Sequence, residues 1–86
     1  MPGIARKDTD AAGGTDIVGS PDVFVENKPA VRIGDAVQGH GPGTHGGPVM
    51  ATGSGTVFVN GIAVCREGDV ANCGHPTSGS GTVFAG

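Results

Sequence analysis

Three His and two Cys are the residues of this chain best suited to chemistry, and four of the five fall in two short segments. The first runs Gln38-Gly39-His40-Gly41-Pro42-Gly43-Thr44-His45-Gly46-Gly47, and the second Asn72-Cys73-Gly74-His75-Pro76. Imidazole nitrogen and thiolate sulfur are borderline-to-soft donors, and four of them around one point form the closed tetrahedral set of a structural Zn²⁺ site. His40, His45, Cys73 and His75 are therefore the candidate ligands of one zinc ion. Four protein donors leave no position open for water, so the set predicts a structural metal rather than a catalytic one. The spacing matches no classical zinc finger, and surface His in a flexible Gly loop is the ordinary alternative. Cys65 is the alternative sulfur donor, but it stands at the repeat position of Val31, where burial is its expected role. A Cys65–Cys73 disulfide is a third reading, less favoured in a reducing compartment.

The elements that must position these residues are repeated. Gly19-Ser20-Pro21-Asp22-Val23-Phe24-Val25 returns 34 positions later as Gly53-Ser54-Gly55-Thr56-Val57-Phe58-Val59. Eight of the seventeen residues from 19 to 35 are identical in the second copy, including Arg32/Arg66 and Gly34-Asp35/Gly68-Asp69. A truncated copy closes the sequence as Gly79-Ser80-Gly81-Thr82-Val83-Phe84-Ala85-Gly86, and Ile4-Ala5-Arg6-Lys7-Asp8 reads as an opening half-copy without the Gly before Asp. Each unit reads as a short β-hairpin, with β-branched and aromatic runs flanking Glu26-Asn27-Lys28-Pro29 or the strong turn signal Asn60-Gly61. No window keeps a helical apolar period, so the expected fold is all-β. Corresponding loops of a repeat emerge at one end, which lets His40 and His45 meet Cys73 and His75. Three similar edges in one chain also suit a trimeric partner, because they imitate its symmetry.

Length and composition bound the rest. Eighty-six residues make one domain, expected to span 1–86, and a chain this short has little core. It has no Leu, Trp or Tyr and eighteen Gly, so an added staple is expected. Eleven Val and four Ile in bounded runs argue against disorder. A net charge of −3 with five Lys plus Arg argues against nucleic acid or an anionic membrane as the main partner. No signal peptide precedes the pattern, which predicts synthesis and assembly in the cytoplasm. The run from Gly39 to Gly47 lacks the Lys-Ser/Thr ending of a phosphate loop. Asp8, Asp10, Asp16, Asp22, Asp35 and Asp69 fit turn positions better than paired catalytic carboxylates. Arg32 and Arg66 are expected to pair with Asp35 and Asp69, or else to contact a partner. A small zinc hydrolase is the enzymatic alternative, and it would need a water in place of one ligand and a pocket. A carbohydrate-binding module lacks the exposed Trp or Tyr rings it would use.

The repeated Gly-Ser-x-x-Val-Phe-Val with its following Arg-x-Gly-Asp resembles the PAAR-repeat proteins. The name motif stands here as Pro29-Ala30-Val31-Arg32 and, less completely, as Ala63-Val64-Cys65-Arg66, with Ile4-Ala5-Arg6 at the start. That resemblance implies a small cone of short β-hairpins with a pseudo-three-fold base and a zinc-bound apex, the zinc held by His40, His45, His75 and Cys73. It implies a non-enzymatic tip that caps and sharpens a trimeric β-helical spike, the VgrG protein of type VI secretion or a phage tail spike. One copy per trimer is expected, with transient contact with the target membrane during injection. Such a tip would be cytoplasmic when assembled and then delivered outward, or carried on a virion tail.

Overall fold

A Val-Phe-Val run can fold back on itself only where the chain can take left-handed backbone, and both turns supply it. Glu26 and Asn27 have φ of 53° and 67°, and Asn60 and Gly61 have 56° and 76°, the signature of a tight two-residue hairpin turn. The computed structural model describes residues 1–86. It contains three two-stranded antiparallel ribbons: β1 (Ala11–Ala12) with β2 (Gly14–Thr15), β3 (Phe24–Val25) with β4 (Lys28–Pro29), and β5 (Phe58–Val59) with β6 (Ile62–Ala63). Val25 faces Lys28 across the first repeat hairpin, and Val59 faces Ile62 across the second. There is no α-helix, and one 3₁₀ turn spans Gly43–His45. The expected all-β class and hairpin units are what the chain adopts.

The closing and opening fragments are two halves of one further unit. Phe84 pairs with Gly3, and the Ala85 amide donates to the Pro2 carbonyl at 3.0 Å. This seam corresponds to the Phe24–Pro29 and Phe58–Ala63 pairs, with no turn joining its strands. The three units then close a ring of backbone hydrogen bonds about one axis. Ala5 donates to Cys65 at 3.0 Å, Cys65 to Val31 at 2.8 Å, and Val31 to Ala5 at 3.0 Å. Two further rings follow the same three-fold rule, namely Lys7 to Pro29, Ile33 to Ala63 and Glu67 to Gly3, and Ser20 to Ala30, Ser54 to Val64 and Ser80 to Ile4. In each unit the Ser hydroxyl accepts an amide three residues on, from Val23, Val57 or Val83, a side-chain-capped turn that sets up the following strand. Two-residue strands would be marginal alone. Closure into a ring satisfies their edges instead.

Each unit also carries one ion pair. Arg6, Arg32 and Arg66 grip Asp10, Asp35 and Asp69 through Nε at 2.8, 3.0 and 2.9 Å, and each adds a second bond from Nη2. The predicted pairs of Arg32 and Arg66 are therefore present. In the opening fragment the partner is Asp10, not Asp8, which meets only Lys7 at the surface. One extra residue between Arg6 and Asp10 hid this equivalence in the sequence. Burial acts to raise the Asp10 and Asp69 carboxyls, but hydrogen bonds from the guanidinium groups outweigh it and hold both below the usual carboxylate range.

The core is two thin layers along the axis. Ile4, Val25, Ala30, Val59, Val64 and Ala85 form one, and Ala5, Ala12, Val31, Val37, Met50, Cys65 and Ala71 the other, with Cys73 packed against the second. These side chains are small because three backbones meet at the axis. The body measures 32 × 23 × 23 Å, and Cys73 leads from its upper layer to the candidate site.

Candidate metal centre

Two loops deliver the side chains, and each is tightened by its own backbone. In the first, the His40 amide donates to the His45 carbonyl at 2.7 Å across the 3₁₀ turn. In the second, the Ala71 amide donates to the His75 carbonyl and the Gly74 amide to the Ala71 carbonyl. Gly74, at φ 92°, supplies the left-handed corner that brings Cys73 and His75 to one side. The loops depart after the equivalent residues Asp35 and Asp69, so the ring places them at one end.

Four donor atoms converge there. His40 Nε2 lies 3.1 Å from His45 Nδ1 and 2.8 Å from His75 Nδ1, and Cys73 Sγ is 3.8 and 3.7 Å from His40 Nε2 and His75 Nδ1. All four lie within 4.8 Å of one another. Ordinary zinc bond lengths in a tetrahedron require about 3.3 Å between nitrogens and about 3.6 Å between nitrogen and sulfur. The nitrogen–sulfur distances match that requirement, and the nitrogen pairs at 3.1 and 2.8 Å need to part by only a few tenths of an ångström to meet it. His40 Nδ1 is 3.2 Å from the Gln38 carbonyl, which can only accept; Nδ1 therefore carries the proton and leaves the Nε2 lone pair aimed at the cluster. Three imidazoles facing inward with their nitrogens this close repel one another unless a cation or shared proton lies between them. The group can hold a metal ion, and its donor set suits zinc.

Gly13 completes the site, and sequence reasoning passed over it. It turns the β1–β2 hairpin at φ 85°. A Cβ there would fall 2.7 Å from His40 Nε2 and collide with His75 Nδ1. The β1–β2 hairpin is thus laid directly across the donors, and only a residue without a side chain permits it. The Gly13-Gly14 pair was the available signal.

Cys65 stands apart from this group. Both cysteines are free thiols, and Cys65 is completely buried in the ring with its sulfur bonded to the Thr52 carbonyl at 3.4 Å. Burial, followed by the nearby carboxylates of Asp69, Asp16 and Asp35, pushes its thiol up to about 12. Alkylation separates the two sulfurs. In zinc-loaded protein neither thiol is expected to react with iodoacetamide; as a chelator is added Cys73 reacts first, and Cys65 follows only as the fold is lost, as read by mass spectrometry of the peptides. Labelling of Cys65 before Cys73 would contradict the assignment of Cys73 to the cluster.

A ring of three short-hairpin units with a His₃Cys group at one end defines a small, repeat-built all-β protein. The sequence profile of the PAAR motif matches residues 38–86, and the chain belongs to that family, the spike-tip proteins of contractile injection systems. The match begins just ahead of His40 and takes in all four donors. A search of the curated proteins returned no match to the chain.

Proposed function

We propose that the chain caps the end of a trimeric β-helical spike, a VgrG-like protein or a phage tail spike, and forms the point that pierces the target envelope. The observation that carries this reading is the three-fold ring, which gives one chain three near-equivalent units and so matches a three-fold partner with a single copy. Phe24, Phe58 and Phe84 occupy one position in the three units and are 57, 57 and 47% exposed. Large apolar rings displayed this way, once per unit, support burial against another surface.

At the other end, His40, His45, Cys73 and His75 would hold one structural zinc ion. Bound there, zinc supplies rigidity where the body is too narrow for an apolar core. With the coordination shell filled by protein donors, the tip works mechanically rather than as an enzyme. Its place is in the cytoplasm while the machine assembles, followed by delivery outward on the spike or residence on a virion tail, and its contact with the target membrane is transient.

Co-purification with a trimeric spike tests the reading. Mass measurement of the complex is expected to give one chain per trimer, and Asp at Phe24, Phe58 and Phe84 together is expected to weaken capture at least tenfold. Three chains per trimer would rule out the pseudo-symmetric fit.

A further inference from the structure

We infer that Asp16 stays a protonated carboxylic acid in the folded chain in mildly acidic solution, ionises toward neutral pH, and so serves as a pH-sensitive latch between the β1–β2 hairpin and the segment that descends from the Cys73–His75 loop. Its place in the three-fold pattern is the first reason. The Asp16, Met50 and Thr77 amides donate to the Asp10, Asp35 and Asp69 carbonyls respectively, so the three residues are equivalent and all point inward. Asp16 is 0% exposed and Met50 1%. A carboxyl therefore stands where the neighbouring unit places a thioether.

The hydrogen bonds supply the second reason. The Thr77 hydroxyl lies 2.8 Å from Asp16 Oδ2 and 2.9 Å from the Ser78 carbonyl oxygen. A hydroxyl has one proton, and a carbonyl can only accept. If Thr77 donates to Ser78, Asp16 must donate to Thr77, and for that it must carry a proton. In the neutral acid the relay can run from the Asp16 hydroxyl to Thr77 and on to the Ser78 carbonyl, whereas in the carboxylate Thr77 donates to Asp16 Oδ2 and the Ser78 carbonyl loses its hydroxyl donor. Asp16 Oδ1 is buried without a partner. As the carbonyl oxygen of a neutral acid that is a modest penalty; as half of a carboxylate it is a severe one.

No cation offsets an ionised Asp16. The charged groups that face it are Asp10 and Asp35, which Arg6 and Arg32 already occupy, and the buried Cys65 thiol is its other titratable neighbour. Burial, only partly offset by a hydrogen bond from Thr77 that favours the ionised form and reinforced by these two carboxylates, raises Asp16 to about 6. The folded chain thus binds this proton more tightly than the unfolded chain. The stabilisation is complete below the ordinary carboxylate value and is lost as pH rises through about 6. Asp10 and Asp69 act in the opposite sense, since their lowered values favour the fold above the ordinary carboxylate range.

Asp16→Asn tests this, because its amide can donate to Thr77 as the neutral acid does. In zinc-loaded protein the variant is expected to melt roughly 5–10 °C above the parent at about pH 8, with the gap closing toward about pH 5. Any loss of zinc at low pH is common to both proteins and cancels in the difference. Parallel melting curves, or a variant less stable at every pH, would overturn the latch. A direct reading needs no variant: the ¹³C signal of the Asp16 carboxyl in the parent is expected to titrate near pH 6. A midpoint at or below the ordinary carboxylate value would overturn it equally.

Discussion

Stripping zinc from the purified protein with a strong chelator is expected to abolish its cooperative thermal transition rather than move it by a few degrees. Structural zinc in small domains contributes about 10–16 kcal/mol of apparent binding free energy at neutral pH. A whole domain holds only about 5–15 kcal/mol of stability. The metal contribution is thus as large as everything else together. This chain has little to set against its loss, since the upper core layer is built from Ala, Val, Cys and one Met. Without an ion, His40, His45 and His75 would also keep three ring nitrogens crowded within hydrogen-bonding distance. Elemental analysis of fresh protein is expected to give about one zinc per chain, and Cys73→Ser to lose it. Freshly purified protein that contains no metal and still melts sharply would refute the site.

Gly13→Ala is expected to be nearly as damaging, although it adds one methyl group and removes no donor. The methyl would occupy space now facing His40 Nε2 and His75 Nδ1, the two central atoms of the cluster. It would also force a side chain onto a left-handed turn at φ 85°, at a cost of about 1 kcal/mol before any clash. Either the β1–β2 hairpin lifts or the donors part. Zinc affinity is expected to fall at least a hundredfold in competition with a chromophoric chelator, whereas Gly61→Ala, which meets nothing within 4 Å, should leave it unchanged. Equal zinc affinity in the two variants would show that the hairpin does not abut the donors.

Much of this was legible in the sequence. The 34-residue repeat predicts the hairpins, because Val-Phe-Val and Asn60-Gly61 are strong local signals. It also brings the four donors together, because loops at equivalent positions share an end. What escaped was long-range closure. Residues 2–4 and 83–85 carry no turn between them, so their pairing is invisible to any window, and the extra residue before Asp10 disguised the third ion pair. Gly13 escaped for a different reason. Its importance lies in what approaches it, and a bare backbone position announces nothing about its visitors. Asp16 looked like another turn aspartate until the fold placed it opposite Met50 and Thr77.

The seam joining Gly3 to Phe84 has a bearing on how the protein comes into being. During synthesis the two repeat hairpins can form as they emerge, since their strands are adjacent in sequence, but the third unit lacks one of its two strands until residues 83–85 are free of the ribosome. Until then Ile4, Ala30 and Val64 share an unfinished pocket. The domain therefore closes in one late, high-contact-order step, and until that step its nascent form presents sticky apolar edges.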